Sequence, residues 1–236
     1  MSLELRNAEV SPHRNNEISL REKKPLETPE SRKEYAEAEQ KTKNIIFDYC
    51  DKMQFDISAK PMETIYSQNW DKIKLEKGLD ATLKECNPNY ELGKEWKTNC
   101  QRCVPTYEMR CRGYDVTAFP KPAVSDKTDL AFHPFTVWRN PEVIKCSKNG
   151  IDDIEKKMQE WGDGARAQVV VAWKNTNAGH TFIAERIDGK TVYLDPQTGN
   201  KDVKNYFKRV ENGSVRLARI DTLDVSNKIL DCCRKV

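Results

Sequence analysis

This chain of 236 residues has no long apolar run, only three histidines and no large excess of one charge. It has no stretch of about 18 apolar residues, and residues 1–40 lack the apolar core of a signal peptide, so neither a membrane-spanning helix nor a leader is predicted. The 40 basic and 37 acidic residues leave a net charge of only +3. Such a balance gives no extended basic surface that would attract nucleic acid or an anionic membrane. We therefore expect a chain that is made in the cytosol and binds neither nucleic acid nor a membrane.

The composition predicts three parts. Hydrophobic residues make up 37% of the chain and the mean hydropathy is −0.82, which is low for one compact globule. Residues 1–30 are charged and polar with almost no aromatic residues, so we expect a disordered or linker arm. Residues 31–95 carry apolar positions at helical spacing and predict a helical N-terminal segment. Residues 96–236 are then expected to form the catalytic domain.

The eight cysteines do not predict a disulfide framework or a metal centre. Cys232 and Cys233 are adjacent, and the chain is too large and too charged for a small cross-linked scaffold. Cys100-x-x-Cys103 is half of a zinc pattern, but no second half with suitable spacing follows it. We interpret the cysteines as mostly reduced thiols, and we expect no metal and no cofactor.

A three-turn helix is predicted after Thr98 or Asn99, which are candidate caps, with Pro105 early enough to be tolerated and Gly113 as the stop. Because the helix should bury one face, the spacing predicts that Cys103 and Cys111 are core thiols.

Cys100 stands at the start of the same helix. Free N–H groups at a helix start favour the thiolate, which is the nucleophilic form of cysteine. Cys100 is therefore the stronger candidate nucleophile, and Cys103 stays open as the alternative.

Three strands joined by short turns are predicted over residues 167–173, 180–187 and 190–195, and they should form an antiparallel meander. His180 opens the second strand and Asp195 closes the third, so a hairpin register brings them to the same end of the sheet. A carboxylate that reaches one imidazole nitrogen fixes the tautomer, while the other nitrogen faces the nucleophile.

The chain has only two other histidines. His13 falls in the polar arm, and His133 precedes Pro134 in a long loop, where a packing or surface role is the simpler interpretation. His180 is therefore the candidate base.

A helix-borne cysteine followed in the chain by a strand-borne histidine and an acid is the arrangement of papain-like enzymes. The motifs Asn-Cys-Gln-Arg-Cys-Val, Gly-His-Thr-Phe-Ile-Ala-Glu and Leu-Asp-Pro-Gln-Thr-Gly resemble, more narrowly, the papain-fold toxin domain of bacterial polymorphic toxins and phage head-morphogenesis proteins, a family assigned as glutamine deamidases. The similarity covers about residues 96–220. It implies an α+β, papain-like fold, in which the helix with the cysteine packs against an antiparallel sheet and a helical segment precedes both.

The resemblance also implies the roles of the site residues. Cys100 would be the nucleophile, His180 the general base and acid, and Asp195 the group that orients His180. Gln197 belongs to the family pattern, but we assign it no role beyond turn formation. The oxyanion would be stabilised by the Cys100 N–H together with the Asn99 side chain or a nearby loop N–H.

The activity that the resemblance implies is a cysteine-dependent amidohydrolase, a protein-glutamine deamidase that acts through a thioester acyl-enzyme. Its substrate would be a glutamine side chain of a protein. Such a toxin would be made in the bacterial cytoplasm and secreted or delivered into a target cell, and a cognate immunity protein would be a further partner.

Three alternatives stay open. A papain-like cysteine peptidase would use the same acyl-enzyme, and a transglutaminase-type enzyme would pass the acyl group to an amine. The residues around the triad do not separate these activities, because the difference lies in the shape of the cleft. The third alternative is a structural module of a phage or secretion system with a vestigial site.

Overall fold

The computed structural model describes residues 70–74, 77–123 and 130–236. The predicted arm, residues 1–30, and most of the predicted helical segment lie outside the described residues. The described part is α+β, with three α-helices and antiparallel sheets, which confirms the predicted class. Within these ranges no helix is both long enough and apolar enough to cross a membrane.

The regular elements of the described residues are short. The helices are α1 (Leu79–Cys86), α2 (Cys100–Cys111) and α3 (Ile151–Trp161). The strands are β1 (Val116–Ala118), β2 (Ile144–Lys145), β3 (Arg166–Ala172), β4 (Gly179–Ile187), β5 (Lys190–Leu194), β6 (Arg216–Arg219) and β7 (Cys233–Lys235). Four 3-10 helices lie at Tyr90–Leu92, Lys94–Trp96, Lys204–Lys208 and Asn227–Asp231.

The main sheet has five antiparallel strands in the order β2-β6-β3-β4-β5. The predicted meander is confirmed as β3, β4 and β5, with ends that differ by about one residue. Asp188 and Gly189 form the turn between β4 and β5, and both have positive φ angles, 48° and 72°. A two-residue turn of this kind requires positive φ at both positions, which explains the Asp-Gly pair.

The central strand β3 is buried on both faces because alternate residues point to opposite sides of a strand. Val169 and Val171 belong to the core that contains Ile154 and Met158 of α3. Val170 belongs to the second core, together with apolar residues of α2. The sheet therefore lies between the two helices, and burying each large apolar side chain contributes about 1.5–3 kcal/mol.

Helix α2, which carries the candidate nucleophile, is buried along most of its length. Its buried Glu108 accepts hydrogen bonds from Arg112 at 2.7 Å and from Arg166 of β3 at 2.6 Å. A buried carboxylate is tolerated when it is paired in this way, so α2 is anchored to the sheet. The prediction that Cys111 is a core thiol is wrong: it is the last residue of the helix and is exposed.

The sequence of residues 223–233 also predicts a short terminal helix, and that prediction is wrong. A single 3-10 helix, Asn227–Asp231, is followed by β7, which pairs with β1 over Val116 and Lys235 to Ala118 and Cys233. The chain end forms ladder hydrogen bonds with a strand more than 100 residues earlier, and a local pattern carries no information on such pairing. The sequence of residues 213–220 predicts one more strand, which is present as the shorter β6.

Candidate active site

The start of α2 lies where the sequence predicts it. Asn99 is the N-cap residue, and its carbonyl oxygen accepts hydrogen bonds from the N–H groups of Arg102 and Cys103 at 2.8 and 3.1 Å. Cys100 is the first residue of the helix, is partly exposed and lines a cavity. Its sulfur therefore lies where the N–H groups of the first turn and the helix dipole stabilise negative charge.

The side chain of Asn99 does not cap the helix and cannot serve the cavity. It is fully buried, and its Nδ2 donates to the Phe119 carbonyl oxygen at 3.0 Å and to Asn87 Oδ1 at 3.2 Å. The expectation that the Asn99 carboxamide donates to the oxyanion is therefore wrong. Its amide protons are already engaged on the far side of the helix start.

Gln197 supplies the missing cap from another part of the chain. With its carboxamide oriented to satisfy its neighbours, the side-chain oxygen accepts hydrogen bonds from the N–H groups of Asn99 and Cys100, both at 2.9 Å. Its backbone N–H donates to Asp195 Oδ1 at 3.0 Å. One residue thus joins the acid to the helix that carries the cysteine, a role that the sequence analysis missed.

His180 and Asp195 meet at the end of the sheet, as the hairpin register predicts. His180 Nε2 lies 3.1 Å from Asp195 Oδ2. Asp195 is fully buried and directly follows β5. Since Asp195 engages Nε2, Nδ1 is the imidazole nitrogen left for the sulfur of Cys100.

A third hydrogen bond to the Asp195 carboxylate comes from Tyr206, whose hydroxyl donates to Oδ2 at 2.8 Å. Tyr206 lies in the 3-10 helix Lys204–Lys208, outside every motif that the sequence analysis used. No local pattern marks it, because its contact with the acid depends on how the chain returns after β5.

The charges of the site are coupled. Burial alone would lower the pKa of His180, but the negative charge on Cys100 and the hydrogen bonds to Asp195 and Cys100 outweigh it and raise that pKa to about 10. Burial would raise the pKa of Asp195, but the hydrogen bonds from His180, Tyr206 and the Gln197 backbone lower it. At neutral pH the imidazole is therefore held in its protonated form, opposite a carboxylate.

Aromatic rings hold the imidazole in place. Trp173 stacks on His180 with ring centroids 5.8 Å apart and Phe182 does so at 6.1 Å, while Tyr206 meets its edge at 5.7 Å. The guanidinium of Arg209 lies 4.9 Å from the centre of the Trp173 ring. These contacts fix the ring plane of His180, as the proton transfers of a catalytic histidine require.

The cavity has a volume of about 610 Å³ and contains Cys100, His180 and Asp195 in its lining. This is within the usual range for small-molecule sites, about 300–1,000 Å³. Polar and apolar side chains from α2, the loop after β1 and the sheet line the rest of it, among them Gln101, Phe132 and Trp173.

Two rival residues from the sequence analysis lie outside this lining. Cys103 is fully buried, and burial raises the pKa of its thiol well above its usual value, which disfavours it as a nucleophile. His133 is buried in its loop, and His13 lies outside the described residues. In the described ranges, no group of three or more His, Cys, Asp or Glu side chains could hold a metal ion.

Comparison with known proteins gives one result. Searches of the curated proteins and of the solved structures found no match to this chain. One family model matches residues 98–200, a segment that runs from the start of α2 to the turn after β5 and includes Cys100, His180 and Asp195. The resemblance seen in the motifs is therefore confirmed: residues 98–200 match the family of the papain fold toxin 1, glutamine deamidase.

Proposed function

We propose that this chain is a cysteine-dependent protein-glutamine deamidase of the toxin or effector type. The observation that carries the proposal is a single cavity that holds Cys100 at the start of α2 and His180 at 3.1 Å from Asp195. The family match over the same residues favours a glutamine side chain over a peptide bond as the scissile amide.

The proposal requires that Cys100 attacks as a thiolate and that His180 is its imidazolium partner. Burial lowers the pKa of His180, but the neighbouring Cys100 and Asp195 side chains raise it to about 10, which keeps the imidazole protonated near neutral pH. Asp195 stays ionised and orients the imidazole through Nε2, which leaves the Nδ1 proton directed to the sulfur. Removal of the carboxylate charge would weaken both effects.

Catalysis then follows the acyl-enzyme route. The thiolate attacks the carboxamide carbon of the glutamine, and the tetrahedral intermediate collapses as His180 protonates the leaving ammonia. The product is a thioester between Cys100 and the side chain. Water, deprotonated by His180, hydrolyses the thioester, releases a glutamate and restores the thiolate.

The oxyanion is stabilised by the backbone at the start of α2. The Cys100 N–H donates to the Gln197 carboxamide oxygen at 2.9 Å, so a substrate oxyanion would have to share or take over this N–H. The next N–H, that of Gln101, has no hydrogen-bond partner in the described part of the chain. We propose that the Gln101 N–H joins the Cys100 N–H in place of the expected Asn99 side chain.

Mass spectrometry of a treated protein tests the proposal. Purified candidate target proteins are incubated with the full chain, and a gain of about 1 Da at a glutamine is expected, since the amide becomes an acid. Cys100→Ala should give no gain, and His133→Ala, a histidine outside the cavity, should retain it.

The same spectra distinguish the alternatives. Fragments of the target would indicate a peptidase, and amine or protein adducts would indicate acyl transfer. If the wild-type chain and Cys100→Ala leave the targets equally unchanged, and a generic amide such as a glutamine peptide releases no ammonia, the proposed enzyme activity is wrong.

A further inference from the structure

Two thiols lie one turn apart at the start of α2. Cys100 is the first residue of the helix and Cys103 is the fourth. Residues three apart on a helix are neighbours, with Cβ atoms roughly 5–6 Å apart. A disulfide needs Cβ atoms about 3.5–4.5 Å apart, so the first helical turn has to bring these two atoms closer by roughly 1–2 Å to join the two sulfurs.

The two thiols have opposite environments. Cys100 is partly exposed in the cavity beside His180, whereas Cys103 is fully buried beneath it. Burial is the main reason that the pKa of the Cys103 thiol is raised, and the neighbouring Cys86 and Cys100 add to it. A reactive, accessible cysteine followed three residues later by a protected one at a helix start is the arrangement of dithiol redox sites.

The other described cysteines offer Cys100 no comparable partner. Cys86, Cys146, Cys232 and Cys233 are buried and do not line the cavity, and Cys233 is paired with the hydroxyl of Thr106 at 3.3 Å. Cys111 is exposed at the other end of the helix, about 16 Å away at the helical rise of 1.5 Å per residue. Cys103 is thus the neighbour that can reach an oxidised Cys100.

We propose that Cys100 and Cys103 form a reversible disulfide, with Cys103 as the resolving thiol. The consequence for activity rests on the proposed function, because it requires Cys100 to be the nucleophile. While the disulfide is present, the site has no thiolate. A second thiol also protects Cys100 from further oxidation, which is irreversible at the sulfonic acid and in most proteins at the sulfinic acid.

The chemistry balances with a peroxide as oxidant. The Cys100 thiolate attacks one oxygen of hydrogen peroxide, the O–O bond breaks, and a sulfenic acid and hydroxide form. The sulfur of Cys103 then displaces the hydroxyl group of the sulfenic acid, and the thiol proton leaves with it as water. Two electrons pass from the two sulfurs to the peroxide, and a dithiol reductant reverses the change by exchange.

Peptide mapping of the full chain tests the disulfide directly. The chain is treated with hydrogen peroxide and then denatured in the presence of iodoacetamide, which blocks the free thiols. It is digested with trypsin without reductant. Trypsin cleaves after Lys97, Arg102 and Arg110, so the two cysteines fall in separate peptides, 98–102 and 103–110. The disulfide predicts that these peptides are recovered as a linked pair, which dithiothreitol separates.

Two variants serve as controls. Cys103→Ala should retain the basal deamidase activity, give no linked pair, and lose activity irreversibly in peroxide. Cys111→Ser, which changes an exposed thiol of the same helix, should give the linked pair as the wild type does. The wild-type activity should fall at least about tenfold on oxidation and return with dithiothreitol.

The mass result is independent of the activity. The proposal is overturned if Cys100 is recovered as a sulfinic acid while Cys103 is alkylated, or if Cys100 is linked to a different cysteine. It is also overturned if Cys103→Ala, after peroxide and then dithiothreitol, recovers its activity as fully as the wild type. A linked pair in a chain that deamidates nothing when reduced would support the disulfide and refute the proposed function. If Cys103→Ala fails to fold, the wild-type peptide map still decides.

Discussion

Tyr206 donates its hydroxyl proton to Asp195 Oδ2, the same carboxylate oxygen that lies 3.1 Å from His180 Nε2. One oxygen thus accepts from two side chains, while the other accepts the backbone N–H of Gln197. The acid is fixed on both sides before any substrate enters. Its environment, as much as its presence, should therefore set the activity of the site.

The first prediction concerns this hydroxyl. Tyr206→Phe should lower kcat by about tenfold or more, because a hydrogen bond to a charged group is worth about 1.5–3 kcal/mol. The pKa of His180 should change as well, since the acid that faces it is less well fixed. The matched control is Tyr193→Phe, whose hydroxyl donates to Glu155 at 3.1 Å away from the cavity. Equal kcat values for the two variants would contradict the role of Tyr206.

The acid itself gives the second prediction. Asp195→Asn keeps the shape of the side chain but removes the charge that holds His180 in its tautomer, so kcat should fall by roughly 10²- to 10⁴-fold. Asp163→Asn, an exposed aspartate outside the cavity, should leave kcat unchanged. Activity of Asp195→Asn within a few-fold of wild type would mean that another group orients the imidazole.

The third prediction follows from the raised pKa of His180, about 10. A proton NMR titration of the imidazole should give a midpoint near this value in the wild type and a lower one in Cys100→Ala, because the charge on the sulfur is then absent. A midpoint that does not change in Cys100→Ala would show that the sulfur and the imidazole are not paired.

The same shift predicts how stability depends on pH. A pKa raised above the unfolded value, about 6.5, means that the folded chain binds the proton more tightly. The stabilisation by His180 is therefore complete below about pH 6.5 and is lost as the pH rises through about 10. We expect the wild type to have a higher free energy of unfolding than His180→Gln at about pH 6.5. Urea denaturation should show that this difference becomes smaller as the pH rises to about 10.

Gln197 provides the fourth prediction. If its carboxamide positions the start of α2, Gln197→Ala should lower kcat more than it raises KM, and it should lower the unfolding free energy by about 1 kcal/mol, as loss of a helix cap does. Gln159→Ala, an exposed glutamine of α3, controls for the substitution. A higher kcat/KM in Gln197→Ala would instead indicate that the Gln197 carboxamide occupies the position of the substrate oxygen.

The parts of the fold that could be predicted are those that local pattern determines. The extent of helix α2 follows from Asn99 at its start and Gly113 after its end, and the β3–β5 meander follows from three apolar runs joined by short turns. His180 and Asp195 could be brought together for the same reason, since a hairpin register relates residues only 15 positions apart.

The parts that could not be predicted depend on distant segments. Tyr206 and Gln197 reach the site from the chain after β5, and β7 forms only because β1 is present to pair with it. The exposure of Cys111 has a different cause. Cys111 shares the apolar spacing of α2, but it is the last residue of the helix, and no further turn follows to cover its side chain. The spacing of apolar residues shows which face of a helix is apolar, but not whether anything packs against each part of that face.

The proposed activity depends on a thiolate–imidazolium pair of Cys100 and His180. The most direct test of this pair is the rate of alkylation of each cysteine by iodoacetamide across pH, read by peptide mass spectrometry. If the pair forms, Cys100 should react at pH 6 nearly as fast as at pH 8.5 and His180→Ala should abolish this, while the exposed Cys111 should slow steeply towards acid pH in both proteins. A Cys100 rate that falls with acidity as that of Cys111 does, and is unchanged in His180→Ala, would contradict it.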